Sequence, residues 1–229
     1  MNFKKLVFKQ REIFISTINH DLRVPVIAQI RALELLAAGN MGVLNNEQSE
    51  IVNLTLASCK SIYGMLSAIL SAYKYENRDV ILNYETVNIL SLIENYFSQN
   101  FDKRNIEKIN IENKADDVII RGDKLQLKKA FEYILNYCIS CSNGSMHLKI
   151  VNDDEFIKII LIFKSMSSNL NDLSPHKMEQ VGSSLGMYLA KKIVQAHHGK
   201  INVEFDNIKN YYSIEFPLNN VNLCDLNCI

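Results

Sequence analysis

Apolar residues recur at steps of three and four along the first third of the chain, which is the spacing of one helix face. They predict a first helix over residues 3–38 and a second helix over residues 46–75. Gly39 and Gly42 interrupt the pattern between the two helices, and Asn45 or Asn46 can cap the second helix. Two long amphipathic helices with one short loop predict an antiparallel hairpin. The apolar stripes are Ile15, Ile18, Leu22, Val26, Ile30, Leu33 and Ala37 in the first helix, and Ile51, Leu54, Ala57, Ile62, Met65, Leu66, Ile69 and Tyr73 in the second.

Such a hairpin cannot cover both of its apolar faces by itself. Either a second copy of the chain completes a four-helix bundle, or the hairpin packs on the chain's own C-terminal part.

After a polar junction at residues 76–79, the periodicity changes to that of a mixed α and β domain. Asp123 is placed to cap a helix that runs to Cys141. Helices against a mixed or antiparallel sheet give an α+β fold. We therefore expect a hairpin domain at 1–77, an α+β domain at 78–218 and a tail at 219–229. The predicted strands are 82–87, 108–112, 118–121, 147–151, 157–163, 201–205 and 211–216, and the other predicted helices are 89–102 and 185–197.

Composition narrows the class of protein. The 229 residues include 25 basic and 25 acidic ones, so charge gives no argument for nucleic acid or a membrane surface as partner. No apolar run approaches the roughly 18 residues of a membrane span. Lys9, Arg11 and Glu12 interrupt any signal-peptide core. We expect a cytoplasmic chain, although a sensor region in a longer parent protein stays open.

The five cysteines are an odd count without a metal-like cluster. Cys138 with Cys141, and Cys224 with Cys228, have spacings that allow a zinc interpretation. No histidine pair lies at finger spacing, and the first cysteine pair falls in an apolar helical run. Free thiols in a reducing compartment are favoured, and no metal site is predicted.

His20 and Asp21 are neighbours on the first predicted helix, with Arg23 and Pro25 close behind. A neutral imidazole is a good nucleophile at cellular pH. Asp21 can orient the ring and take up a proton, and Arg23 offers a charge for phosphate or for a partner's acidic pocket. Taken alone, His20 is better interpreted as a surface histidine beside a solvated acid, and only the whole motif reverses that preference.

Residues 14–25 resemble the phospho-acceptor H box of two-component sensor histidine kinases. Residues 118–127, with Gly122 and Asp123, are similar to the start of that family's ATP-binding domain, and residues 182–187 to its glycine box, which leads into residues 188–201. The resemblance covers about residues 10–218. It implies a hairpin that forms a four-helix bundle on dimerisation, an α/β-sandwich ATPase-type domain, His20 as phospho-acceptor, and a response-regulator receiver domain as partner.

The sequence departs from this family where ATP would bind. Tyr133 and Tyr137 occupy the two asparagine positions, the second of which holds magnesium in the family, and Asn136 is one residue off. The adenine-binding aspartate and glycines correspond to Ser165, Ser167, Asn169 and Leu170. The segment 171–181 is short for an ATP lid and has no phenylalanine.

Val24 stands four positions after His20, where bifunctional family members have a residue that positions water for dephosphorylation. A valine side chain cannot hold a water molecule, so phosphatase activity by that route is not expected.

The glycine box, with Gly182, Ser183, Leu185 and Gly186, is a vestigial nucleotide site or a tightly packed loop-to-helix turn, and we favour the turn. The predicted function is histidine phosphotransfer through His20, Asp21 and Arg23 to and from receiver aspartates, without cofactor. One alternative is a divergent active kinase that uses ATP and magnesium. The other is a non-catalytic dimer that binds a response regulator.

Overall fold

The structure, a computed structural model, describes residues 3–77, 79–100, 109–115, 118–153, 155–165, 183–206 and 209–218. Side chains are outside the description at residues 3–14, 19, 144, 165, 183, 184 and 205. The chain divides into two compact units, Met1–Asn77 and Arg78–Ile229.

The first unit is a helical hairpin. Helix α1 spans Phe3–Ala37 and continues through Pro25, and helix α2 spans Asn46–Glu76. The helices are antiparallel, because Arg23 reaches Ser67 whereas Glu34, further along α1, pairs with Lys60 at 2.9 Å. The predicted hairpin is confirmed.

The turn of the hairpin follows from local sequence. Gly39 and Gly42 have positive φ angles of 74° and 114°, which a residue without a Cβ adopts at little cost. Asn45 then caps α2 in a capping box: the Gln48 backbone N–H donates to Asn45 Oδ1 at 2.8 Å, and the Asn45 N–H donates to Gln48 Oε1 at 3.0 Å.

Helix α2 carries an apolar stripe that stays exposed. Ile51, Leu54, Ile62 and Ile69 follow one another at steps of three, eight and seven, which places them on one helix face. By length and composition α2 could also cross a membrane, although only 11% of its most apolar window is buried in the protein. The expectation that no segment is long and apolar enough for that is therefore wrong for α2.

The second unit has two layers. Its large sheet has the strand order β2-β4-β5-β7-β6, with β2 parallel to β4 and the other neighbours antiparallel, and β1 pairs with β3 in a small antiparallel sheet. The helices are α3 (Ile89–Asn100), α4 (Lys124–Cys141) and α5 (Ser183–Ala196). The strands are β1 (Glu85–Asn88), β2 (Ile109–Asn113), β3 (Ile119–Gly122), β4 (Ser142–Asn152), β5 (Phe156–Ser165), β6 (Lys200–Phe205) and β7 (Asn210–Pro217).

The core lies between the large sheet and the helices. Alternate residues of the central strands are buried, as expected for a sheet with one covered face. The predicted α+β class is confirmed by this arrangement. Fully buried side chains on the strands are Leu148, Ile150, Ile157, Ile159, Leu161, Ile214 and Phe216, and those on the helices are Ile89, Ile93, Leu127, Phe131, Ile134, Leu135 and Ile193.

Two strands begin several residues away from their predicted start. Strand β1 begins at Glu85 instead of residue 82. Strand β4 begins at Ser142, directly after α4, because residues 142–146 extend the strand that apolar alternation predicted only from residue 147. The predicted C-terminal end of α3 falls partly in residues 101–108, outside the described residues.

Candidate functional site

His20 projects from α1 into solvent, with a side chain that is 76% exposed. Its Nδ1 lies 3.2 Å from Asp21 Oδ1. A carboxylate only accepts hydrogen bonds, so this pairing favours the tautomer with the proton on Nδ1. The Nε2 lone pair then has no hydrogen-bond partner among the described residues and is available as a nucleophile. The structure thus brings His20 and Asp21 into contact and leaves Nε2 of His20 facing solvent.

Arg23 does not lie beside His20. Its guanidinium is half-buried between the helices, where Nη2 donates to Ser67 Oγ at 3.3 Å and the group lies 5.4 Å from the centre of the Tyr63 ring. The sequence suggested that Arg23 offers its charge to phosphate or to a partner. The structure instead directs that charge toward α2.

Val24 follows His20 by one helical turn and is 56% exposed. Its side chain carries no hydrogen-bonding group, so this surface next to His20 is apolar.

Tyr137 stands where the resemblance expects the magnesium-holding asparagine, and it is buried. The Tyr212 hydroxyl donates a long, weak hydrogen bond of 3.4 Å to the Tyr137 hydroxyl, and Phe163 stacks on Tyr212 with ring centres 5.7 Å apart. Burial raises the pKa of the Tyr137 hydroxyl, so the phenol stays neutral. Magnesium takes carboxylate, carbonyl or water oxygens, and a buried neutral phenol that accepts from Tyr212 offers none of these.

Asn136, one residue before Tyr137, is engaged by a neighbouring helix. Tyr96 of α3 donates a 2.6 Å hydrogen bond to Asn136 Oδ1, so the amide faces α3. Burial, with smaller contributions from Glu132 and Cys138, raises the pKa of Tyr96 to about 12, which keeps this donor protonated. One step along a helix turns a side chain by about 100°, and α4 keeps that register from its cap at Asp123.

Gly186 is required by packing between α4 and α5. A Cβ at this position would lie 2.6 Å from Cδ1 of Tyr133, the residue at the first asparagine position. The geometry supports the interpretation of the glycine box as a tightly packed turn. Leu185 is half-buried, whereas Gly182 and the side chain of Ser183 lie outside the described residues.

Several predicted features cannot be placed. The Ser165 side chain, Ser167, Asn169 and Leu170, the segment 171–181, and Cys224 with Cys228 lie outside the described residues. In the described part of the chain, Cys59, Cys138 and Cys141 are free, and no three His, Cys, Asp or Glu side chains cluster closely enough to hold a metal ion.

Sequence reasoning missed the junction between Asp123 and His197. The Asp123 backbone N–H donates to His197 Nε2 at 2.9 Å, and His197 Nδ1 lies 2.8 Å from the Ile193 carbonyl oxygen. The carbonyl can only accept, so Nδ1 carries the proton and Nε2 is the acceptor. A Cβ at Gly122 would lie 2.9 Å from the His197 ring. The signal in the sequence was that residues 118–127 and residues 188–201 both match motifs of the same family. Gly122 and Asp123 of the first motif contact His197 of the second.

Both sequence and fold comparisons point to one class of proteins. The chain matches no protein-family model. It is 21% identical over 210 residues to Sensor protein EvgS of Escherichia coli K12, covering 83% of this chain and 17% of EvgS. It is 26% identical over 214 residues to Hybrid signal transduction protein dokA of Dictyostelium discoideum, covering 83% of this chain and 13% of dokA.

Two solved structures share its fold. Histidine kinase AdeS of Acinetobacter baumannii has a TM-score of 0.60 at 15% identity, covering 88% of this chain and 98% of that one. Full-length ShkA in complex with AMPPNP has a TM-score of 0.68 at 16% identity, covering 89% of this chain and 45% of that one. The chain has the fold of a sensor histidine kinase core. This core spans about a sixth of the length of EvgS, 17%.

The histidine kinase core fold accounts for the arrangement of the motifs. The hairpin carries the H box with His20, and the α+β unit carries the glycine-aspartate motif at the start of α4 and the glycine box at the start of α5. The resemblance to two-component sensor histidine kinases that these motifs indicated is therefore supported by both sequence and fold.

Proposed function

We propose that this chain is a histidine phosphotransfer protein of two-component signalling, which carries phosphate on His20 between receiver-domain aspartates. The observation that carries the proposal is a contrast between two positions. His20 presents an exposed nucleophile next to Asp21, whereas Tyr137 is buried where a histidine kinase would hold magnesium. A chain that has an exposed acceptor histidine and lacks the residue that would hold magnesium is equipped to accept phosphate from another protein.

In the proposed transfer, the bonds formed and broken balance without a cofactor. Nε2 of His20 attacks the phosphorus of an aspartyl phosphate, the bond from phosphorus to the carboxylate oxygen breaks, and the receiver aspartate leaves as a carboxylate. The imidazole gains positive charge in this step, and Asp21 at 3.2 Å stabilises the protonated Nδ1. The reverse reaction passes the phosphate to a second receiver.

A second copy of the chain is the proposed partner of the hairpin. The exposed stripe of Ile51, Leu54, Ile62 and Ile69 runs along α2, and a dimer would bury it in a four-helix bundle. The same stripe makes α2 apolar enough to pass as a membrane span, and burial in a dimer accounts for it equally well. We propose a cytoplasmic protein in which this dimer, and not a membrane, covers the stripe of α2.

An active kinase core is the second candidate function. The ShkA structure, which shares the fold, was solved in complex with AMPPNP, and Gly186 of the glycine box is kept in this chain. Two observations argue against an active kinase: Tyr137 is buried, and Asn136 is hydrogen-bonded to Tyr96. This candidate predicts that magnesium and ATP bind and that His20 becomes phosphorylated from ATP.

Calorimetric titration with Mg-ATP and a phosphotransfer gel separate the candidates. The gel uses a panel of receiver domains phosphorylated with acetyl phosphate, and compares wild type, His20→Ala and the control His198→Asn. His198 is exposed with φ of 61°, a conformation that asparagine tolerates. We expect no heat with Mg-ATP, transfer to wild type and to the control, and no transfer to His20→Ala. Binding of Mg-ATP followed by labelling of His20 would establish the kinase instead.

A further inference from the structure

The turn of α1 that carries the acceptor lacks one backbone hydrogen bond. Pro25 has no N–H, so the carbonyl of Asp21 loses the donor that a helix normally supplies from four residues ahead. Helix α1 nevertheless continues through Pro25. The segment that contains His20 and Asp21 is therefore joined to the rest of α1 less firmly than an ordinary helical turn.

Arg23 connects this weakened segment to α2. Its Nη2 donates to Ser67 Oγ, and its guanidinium lies over the face of Tyr63 at 5.4 Å, within the range of a cation–π contact. The Ser67 hydroxyl donates its own proton to the Tyr63 carbonyl at 3.0 Å, so its oxygen is oriented to accept from Arg23. Together Arg23, Tyr63 and Ser67 form what we call the Arg23 anchor.

Stability alone does not explain an arginine at this position. Its Nε is buried and has no hydrogen-bond partner within the described part of the chain. A buried donor without a partner costs on the order of 1–3 kcal/mol, a cost that an apolar side chain of similar length would not carry. The Arg23 anchor instead fixes the orientation of the α1 turn that carries His20. A planar guanidinium held by the Tyr63 ring and the Ser67 hydroxyl allows this turn little rotation.

We propose that Arg23 is a positioning residue for phosphate transfer, which holds the His20 turn against α2 so that Nε2 points at the incoming phosphoryl group. This proposal deepens the function proposed above and rests on it. Arg23 lies three residues after His20, so the two side chains leave neighbouring faces of the same turn, one toward α2 and one toward solvent. The arginine acts through the direction of the helix and does not touch the phosphate.

The test compares four variants of the full chain. Arg23→Met keeps an apolar stem without the anchor, Arg23→Lys keeps the charge without the planar fork, Ser67→Ala removes the acceptor, and Tyr63→Phe keeps the ring as a matched control. Each variant is phosphorylated by phosphoramidate and by a phosphorylated receiver domain. In the first reaction Nε2 bonds to phosphorus, and the P–N bond of phosphoramidate, whose nitrogen is already protonated, breaks to release ammonia. No receiver is involved.

We expect Arg23→Met and Arg23→Lys to lower the limiting rate about tenfold with both donors, because the His20 turn shifts by less than the 1 Å displacement that costs about a hundredfold. Ser67→Ala should lie between these variants and wild type, and Tyr63→Phe should match wild type. The half-saturating receiver concentration should not change, and the thermal midpoints of the two arginine variants should stay within a few degrees of wild type.

Three results would overturn the proposal. A wild-type rate in Arg23→Lys would show that charge alone matters, and a raised half-saturating concentration at an unchanged limiting rate would show that Arg23 binds the receiver. A large fall in the thermal midpoint of both Arg23→Met and Ser67→Ala would show a merely structural role. If no receiver transfers phosphate to wild type while phosphoramidate still distinguishes the variants, the proposed function fails and the anchor stands.

Discussion

Tyr133 packs directly on Gly186, so closely that a Cβ at residue 186 would lie 2.6 Å from Tyr133 Cδ1. Tyr133 occupies the first position of the asparagine box, and Gly186 belongs to the glycine box. In this chain the two boxes contact each other in the helical layer. The preserved glycine is thus explained by a neighbouring ring, without any bound nucleotide.

Gly186→Ala should lower the free energy of unfolding by about 1–3 kcal/mol, the usual cost of overpacking. Adding Tyr133→Ala should remove most of that penalty, because the methyl group then has room. Urea denaturation of the two single variants and the double variant measures the coupling. Gly64→Ala is the control: its Cβ would meet no atom within 4 Å, so this helical position should gain up to about 1 kcal/mol. Additive effects of Gly186→Ala and Tyr133→Ala would contradict the packing account.

Tyr137→Asn should not create a magnesium site, although it restores the family's residue. It removes a buried ring and should cost about 3 kcal/mol of unfolding free energy. Tyr137→Phe loses only the weak hydrogen bond with Tyr212 and should cost about 1 kcal/mol or less. Denaturant titrations measure both values, and calorimetry with Mg-ATP should remain flat for either variant. Heat of binding in Tyr137→Asn would show that this one residue blocks an otherwise intact site.

Acid should destabilise the second unit through His197. Burial lowers the pKa of its imidazole below the ordinary value of about 6.5, and its Nε2 must stay unprotonated to accept from Asp123. Below pH 6.5 the unfolded chain binds this proton more readily than the folded one. The contribution of His197 to the free energy of unfolding is therefore complete above pH 6.5. It is lost as the pH falls below 6.5, by at most about 1.4 kcal/mol per pH unit.

Unfolding free energies at pH 7.5 and 5.5 test this dependence. His197→Gln keeps a hydrogen-bond acceptor without a titrating group. The difference in unfolding free energy between pH 7.5 and pH 5.5 should therefore be smaller in this variant than in wild type. An equal difference in wild type and His197→Gln would place the acid sensitivity elsewhere.

The exposed stripe of α2 should hold two copies of the chain together. Ile62→Glu combined with Ile69→Glu puts two carboxylates on that stripe and should convert a dimer to a monomer, because buried charge without a partner is strongly unfavourable. Asn53→Glu adds a carboxylate on a different, already polar part of α2 and should leave the dimer intact. Sedimentation equilibrium gives the masses. A wild type that sediments as a monomer would refute the dimer.

Local patterns in the sequence were enough to predict most elements. The hairpin, the cap at Asp123 and the antiparallel pair β4–β5 all follow from periodicity and turn residues that lie close together in the chain. The parallel pairing of β2 with β4 was not predictable, because parallel strands are joined through distant segments whose pattern does not encode the neighbour.

The site was predicted in part for the same reason. Adjacent residues such as His20 and Asp21 can be read as a pair, and the structure brings them together. Arg23 meets Ser67 from 44 residues away, and Asp123 meets His197 from 74 residues away. Such contacts depend on how helices pack, which periodicity alone does not specify.

The source of the phosphate on His20 is the central claim, and one labelling experiment tests it most directly. Wild type and His20→Ala are incubated either with radioactive Mg-ATP alone or with a receiver domain that already carries radioactive phosphate. The account predicts label on wild type from the receiver only, and none on His20→Ala from either donor. Label on wild type from Mg-ATP alone, lost in His20→Ala, would contradict it and identify an active kinase.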